Sequence, residues 1–313
     1  MAPSPKVAEA LARAKAAAAD KASLYEALLA DIKALSTPAT AADDLNAIAD
    51  SFFGQALGLV ATRSLLAAFI DTLKALGSEE LWIDVGGRTL ALLAGQPSSF
   101  LDATATLCDL VASAHENGDE FAAAARALAA MPLDSSQRKV SDEDKARVWV
   151  RIVRNHLEVD DSAAAETYIN KLKNIMHTVA DPDLQLHFRL SQARIEDAKR
   201  DFLPASHRYH DISFSPAIAE EERLHTLAMA VKCAILAPAG PARSRALGRL
   251  YKDERAVRLP EFGILEKMFL DRLLPSSSTT CWAPRASTTT SASPPSAPCS
   301  ASTPTGPRRR RRG

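Results

Sequence analysis

The sequence predicts an all-α protein: a tetratricopeptide- or HEAT-like helical-repeat solenoid that runs on into a second helical region and ends in a tail without folding signals. Three observations predict it. Ala and Leu, strong helix formers, are abundant, while the 313 residues include only 12 Gly and 5% aromatics. Runs of β-branched residues, which would mark strands, are nearly absent. Apolar residues recur at i, i+3 and i+4, and short turns rich in Asn, Asp, Gly or Pro separate the segments that carry them.

Val7 to Leu35 reads as one or two helices, with Pro38 and the Thr/Ala run around it as a break. Asp43 and Asp44 then offer an N-terminal cap and a favourable charge to a helix carrying Leu45, Ile48, Phe52 and Phe53. The spacing of Leu65, Leu66, Phe69, Ile70 and Leu73 predicts a helix over Ser64 to Leu76, ended by Gly77. Another spans Glu79 to Leu93 and is closed by Gly95 and Pro97.

From Phe100 the pattern is regular, with helices of roughly 14 to 18 residues. The turns are His115-Glu116-Asn117-Gly118-Asp119, Asp160-Asp161, Asp181-Pro182-Asp183 and Lys199-Arg200-Asp201. FAAAARAL at Phe121, SAAAETYI at Ser162 and FLPASHRY at Phe202 superpose at offsets of 41 and 40 residues. Ala124, Ala165 and Ala205 coincide, as do Leu128, Ile169 and Tyr209. A small residue admits a partner helix, and a large apolar one four positions later fills the space between turns. A period near 40 matches helix–turn–helix solenoids. Ala217 to Leu236 continues with Leu224, Leu227, Ala228, Val231 and Ile235, until Pro238, Gly240 and Pro241. Arg243 to Lys252 and Phe262 to Leu274 follow.

These elements divide the chain into N-terminal helices (1–98), repeats (99–216), the start of a further helical domain (217–274) and a tail (275–313). The tail contains no Leu, Ile, Val, Phe, Met or Tyr and no Asp, Glu or Lys. It cannot bury enough apolar surface to offset chain entropy, so disorder is expected. It reads either as a natural Ser/Pro tail ending in Arg308 to Arg312, or as out-of-frame or aberrantly spliced translation. The abrupt change directly after a strong helix favours the second reading.

Lys+Arg 38 balances Asp+Glu 38, which argues against a nucleic-acid binder with a basic face. No stretch approaches about 18 uninterrupted apolar residues, so no membrane span is expected. The N-terminus is charged throughout and lacks a signal peptide's apolar core. Cys108, Cys233, Cys281 and Cys299 show no CxxC spacing, so neither zinc nor a disulfide framework is indicated, and a reducing, intracellular setting is expected.

No constellation for catalysis emerges. His207 and His210 stand at i, i+3, but a metal site needs further ligands and Arg208 and Tyr209 supply none. Surface histidines near a turn are the expectation. No pair of histidines one residue apart, P-loop, GxGxxG or GxSxG occurs. Cys233 and Trp149 read as core, and Glu220-Glu221-Glu222 as the acidic start of a helix. Lys252-Asp253-Glu254-Arg255 reads either as a partner contact or as a solvated cluster at a helix end. No catalytic, metal-ligating or cofactor-binding residue is assigned.

Several segments resemble the COP9 signalosome subunit 4 family of PCI-domain proteins. YIN at Tyr168 after EVDDSAAAET is similar to its repeat turn, and RYHDIS at Arg208 to the next repeat. FAAAARALAAMPLD also fits. Most specific is the run from Cys233, with CAILA, RSR, LYKDER and GILEKMFLDR. The resemblance covers Thr40 to Leu274 and singles out Arg243, Arg245, Lys252, Asp253, Glu254, Arg255, Glu266 and Lys267 as signature residues, structural or at an interface. It implies a helical-repeat arm followed by a PCI domain, whose winged helix and final bundle helix would follow Leu274. The Ser/Thr/Pro tail stands there instead, and the end of the helical part is expected to expose an apolar face.

The resemblance further implies a non-catalytic scaffold, without cofactors, in a complex that removes Nedd8 from cullins. The implied partners are the other signalosome subunits and cullin–RING ubiquitin ligases, not nucleic acid or membrane, and the implied location is nucleus and cytoplasm. Two alternatives stay open: a PCI subunit of the proteasome regulatory lid, and a free-standing TPR-like adaptor. The adaptor predicts a groove lined by Lys, Arg or Asn at repeated positions, and the sequence shows no such periodic set.

Overall fold

Helix-forming composition produces helices throughout the computed structural model, which describes residues 3–17, 21–55, 57–95, 98–135 and 138–270. Among the described residues every regular element is helical. The first are α1 (Pro5–Ala16), α2 (Lys21–Ala30) and a single turn, α3 (Ile32–Leu35). Where one or two helices were expected there are three, because the chain turns again at Asp31. Next come α4 (Ala41–Phe53), α5 (Leu59–Leu76), α6 (Glu79–Ala94), α7 (Leu101–Asn117) and α8 (Phe121–Ala129). They are followed by α9 (Asp142–Glu158), α10 (Ser162–Ile175), α11 (Pro182–Ala198), α12 (Phe202–Ile212) and α13 (Glu220–Leu236). The series ends with α14 (Pro241–Tyr251), a 3-10 turn at Glu254–Arg258, and α15 (Phe262–Leu270). Pro97, the end of the last expected helix beyond Leu270, Cys281, Cys299 and the tail lie outside the described residues.

Local chemistry sets the boundaries, in places differently from the sequence expectation. Thr40, not Asp43 or Asp44, is the N-cap residue of α4. Asp44 is fully buried, and its carboxylate accepts the Ser4 backbone N–H and the Ser36 hydroxyl, both at 2.6 Å. It therefore fastens α1 and the end of α3 onto α4. Gly77 closes α5 in the left-handed region (φ 66°), as the sequence indicates. α13 begins at Glu220 rather than Ala217, so that Glu220, Glu221 and Glu222 form its first turn. Pro241 starts α14, where the missing N–H costs nothing. Two of the second helices of the pairs, α8 and α12, are only 9 and 11 residues long, shorter than expected.

The helices pair as α7/α8, α9/α10, α11/α12 and α13/α14, and the periodicity recurs in three dimensions. Asp119, Asp160 and Arg200 occupy the first three intra-pair turns with φ of 58°, 58° and 63°. In each turn the following N–H reaches back to close the helix: Glu120 to His115 O at 2.8 Å, Asp161 to His156 O at 2.9 Å, and Asp201 to Glu196 O at 2.9 Å. Ala124, Ala165 and Ala205 are all fully buried, as is Leu128, with Ile169 and Tyr209 at 3% exposure. A fourth copy, Ala246 and Leu250, is equally buried on α14; the sequence comparison stopped one repeat short of it.

Polar contacts recur at a similar spacing both upstream and downstream of these pairs. Ser64 donates to Glu26, Arg88 to Asp50, Asn117 to Glu79 and Arg258 to Glu220, each across 38 residues. The described residues fall in one compact unit. Its buried apolar side chains form three successive groups, Val7 to Leu110, Ala112 to Ile195 and Ala193 to Leu265. Among the described glycines the approach is closest at Gly86 of α6, where an added Cβ would stand 2.6 Å from Val111 Cγ2.

Two outcomes test this packing. Gly86→Leu should cost about 1–3 kcal/mol by overpacking against Val111, read as a lower urea midpoint. Arg200→Gly should instead stabilise by about 0.5–1 kcal/mol, because glycine adopts the left-handed turn without the Cβ clash, and should raise the thermal midpoint.

Candidate functional site

Of the signature residues, Asp253 and Arg255 meet, where the 3-10 turn packs against the end of α12. Asp253, two residues beyond α14, caps the 3-10 turn: its Oδ1 accepts the Arg255 backbone N–H at 3.0 Å. The Arg255 side chain folds back onto the same carboxylate through Nε at 3.0 Å and Nη2 at 2.7 Å. Arg255 also donates from Nη1 to the Ser213 carbonyl at 2.7 Å, and its guanidinium lies 4.1 Å from the centre of the Phe214 ring. His210 Nε2 faces Asp253 Oδ2 at 3.3 Å. One arginine and one carboxylate thus bind the end of the third pair to the end of the fourth.

This splits the Lys252–Arg255 cluster. Lys252 and Glu254 point to solvent, while the side chains of Asp253 and Arg255 are only 9% and 29% exposed. Neither reading given to the cluster from sequence describes these two, which form an internal tie. A four-residue charge run does not reveal which members turn inward, because that depends on Ser213 and His210 some 40 residues earlier.

Arg243 does comparable work on the other side of α14. Its Nη2 donates to the Ile235 carbonyl at the end of α13 at 2.7 Å and touches Met268 Sδ of α15 at 3.6 Å. Tyr251 stacks on Phe262 and Phe269 with centroids 5.7 and 4.9 Å away. Gly248 makes room for Phe269, whose Cε2 would be 3.0 Å from an added Cβ. Arg245 and Lys267 are exposed and Glu266 is half-buried. Leu236, Val257 and Ile264 are more than half exposed at this end of the unit.

His207 and His210 do not act together. His207 Nδ1 is 3.2 Å from Arg249 Nη1, whereas His210 turns to Asp253. The expectation of two surface histidines fails for His210, which is only 6% exposed, because its ring sits edge-on to Phe214 at 4.9 Å. Among the described residues no group of three or more His, Cys, Asp or Glu is placed to hold a metal ion. Cys233 is 1% exposed, and burial, with Asp197 adding to it, pushes its thiol up to about 12. Trp149 is 8% exposed within the core, with Lys171 above its ring. Both side chains are core, as the sequence suggests.

The family model described as PSMD12/CSN4, N-terminal, matches residues 8–221. The chain belongs to the PSMD12/CSN4 family. The match starts at residue 8, so the first helices belong to the family architecture, upstream of Thr40, where the resemblance in sequence begins. COP9 signalosome complex subunit 4 of Neurospora crassa is 54% identical over 274 residues, covering 82% of this chain and 62% of that protein. The protein of the same name from Emericella nidulans is 46% identical over 285 residues, 90% of this chain and 70% of that protein. That from Dictyostelium discoideum is 40% identical over 225 residues. The chain therefore spans a little under two thirds of the length of the Neurospora relative. The resemblance read from CAILA, LYKDER and GILEKMFLDR agrees with these names.

Arg255→Ala should destabilise the fold by about 2–3 kcal/mol, since it leaves the Asp253 carboxylate largely buried without its cation. Lys252→Ala should stay within about 0.5 kcal/mol. Chemical denaturation of both variants reads the difference. His210 supplies a pH dependence. Burial, against the opposing pull of Asp253, holds its pKa below the ordinary 6.5. The unfolded chain therefore binds this proton more readily, and stability falls as pH drops below about 6.5. Asp253 adds a loss at lower pH: burial acts to raise its pKa, but the hydrogen bonds and charge of Arg255 hold it below the usual carboxylate value. In a series of thermal midpoints, His210→Gln should flatten the dependence between pH 7 and 5 while leaving the lower limb.

Proposed function

We infer that this chain is a non-catalytic scaffold subunit of the COP9 signalosome, supporting cullin deneddylation and the regulation of cullin–RING ubiquitin ligases. The observation that carries this reading is 54% and 46% identity, over most of the chain, to proteins named COP9 signalosome complex subunit 4. The architecture supports it. A stack of helix pairs offers long ridged surfaces and is stabilised by neighbour-to-neighbour contacts, which suits a part that positions other proteins. The partners are the other signalosome subunits and, through the complex, cullin–RING ligases; the location is nucleus and cytoplasm. A second reading, a PCI subunit of the proteasome regulatory lid, is kept because the matched family description joins PSMD12 with CSN4.

Affinity-tagged chain, purified gently from its native cells and examined by mass spectrometry, should bring down the other signalosome subunits. Recovery of proteasome lid subunits in their place would make the second reading correct. The purified chain alone, with zinc added, should release no Nedd8 from a neddylated cullin; release would end the scaffold reading.

A further inference from the structure

Along one face of the solenoid the first helices of successive pairs are linked by charged side chains. Arg151 of α9 donates to Glu116 of α7 at 2.8 Å, and through its other nitrogens to Asp109 and Ser113. Arg194 of α11 donates to Glu158 of α9 at 2.9 Å. The next step is different. Among the described residues no ion pair joins α11 to α13; the Asp197 carboxylate lies near enough to the buried Cys233 thiol to raise its pKa. Between these helices a cleft of about 760 Å³ opens. Tyr209 and Ile212 of α12 line it, with Leu186 and Leu190 on α11 and Ile218 and Met229 on or beside α13.

The charges in this cleft are unevenly matched. Arg194 is its permanently charged cation, and it is taken up by Glu158. Asp160, Asp197 and Glu222 are left as carboxylates with no cation among the lining residues, beside His225 and beside His187, whose pKa burial and the charge of Arg154 hold below the ordinary imidazole value. An apolar floor with a few charged groups at its edge is the usual make-up of a binding cleft, and its size lies in the usual range of roughly 300–1,000 Å³.

We propose that the cleft between α11 and α13 binds a short segment of a partner protein whose bulky aliphatic or aromatic side chain is flanked by Lys or Arg. The apolar side chain packs between Leu190 and Met229, over a floor to which Tyr209 contributes only its edge, and the flanking cations meet Asp160 and Glu222. Apolar burial supplies the affinity, and the carboxylates supply orientation and a faster encounter. The same carboxylates repel acidic peptides and nucleic acid. This reading rests on the cleft alone and does not depend on assembly into any complex.

A phage-displayed library of random 12-residue peptides, panned against the purified chain, supplies the probe. The recovered sequences should be enriched in an aliphatic or aromatic residue flanked by Lys or Arg. A fluorescein-labelled peptide from that set should bind in an anisotropy titration, more weakly as salt rises from 50 to 300 mM. Glu222→Arg and Met229→Arg should each weaken it at least tenfold while circular dichroism and thermal midpoint stay near those of the parent. Failure to enrich any peptide, enrichment of acidic sequences, or binding unchanged in both variants would overturn the proposal. A variant that loses its folded signal is replaced by Glu222→Gln, for which at least a threefold loss is expected.

Discussion

Close approach of paired helices is the constraint on which this structure depends. Helices approach most closely where one presents little beyond a Cβ, and Ala124, Ala165, Ala205 and Ala246 are buried small residues at the same place in four successive pairs. The large side chain one turn later, Leu128, Ile169, Tyr209 or Leu250, then fills the volume the crossing encloses. With each crossing fixed, the position of the next pair follows. The polar contacts that repeat at intervals of 35 to 43 residues are made between surfaces the crossings have already aligned.

Much of this was legible in the sequence because it is local. Helix periodicity, glycine stops and the recurring Ala/large pair each depend on residues within one or two turns of one another. The helix that carries Leu65, Leu66, Phe69, Ile70 and Leu73 buries all five. What was not legible depends on distant partners. Asp44 looks like a cap, yet the burial of its carboxylate under Ser4 and Ser36 is settled by a fold-back of 40 residues. Asp253 and Arg255 sit among charged neighbours that remain in solvent, and only Ser213 and His210 distinguish them. The fourth Ala/large pair was readable in principle, but Pro238, Gly240 and Pro241 replace the Asp-containing turn that marked the earlier ones.

The signature run of the C-terminal part can be understood in the same terms. Its charged residues are divided between joining and display. Arg243, Asp253 and Arg255 hold α13, α14 and the 3-10 turn in register, whereas Arg245, Lys252, Glu254 and Lys267 are left in water. Substitutions in the first group act through the folded state of the whole end of the solenoid, those in the second only through whatever that end meets. The cleft between α11 and α13 belongs to neither group. It opens at the step where the charged ladder of the earlier pairs is not continued.

The spacing of contacts also bears on synthesis. Among the described residues no side-chain hydrogen bond spans more than 43 positions, so no segment waits for a partner from the far end of the chain. Local contacts of this kind favour fast folding. At a ribosome adding roughly 5–20 residues each second, the partner of any newly made helix pair emerges within about 2–8 seconds. The protein can consolidate from its N-terminus behind the ribosome, each pair covering the apolar face of the one before, and only the most recent pair is uncovered at any moment.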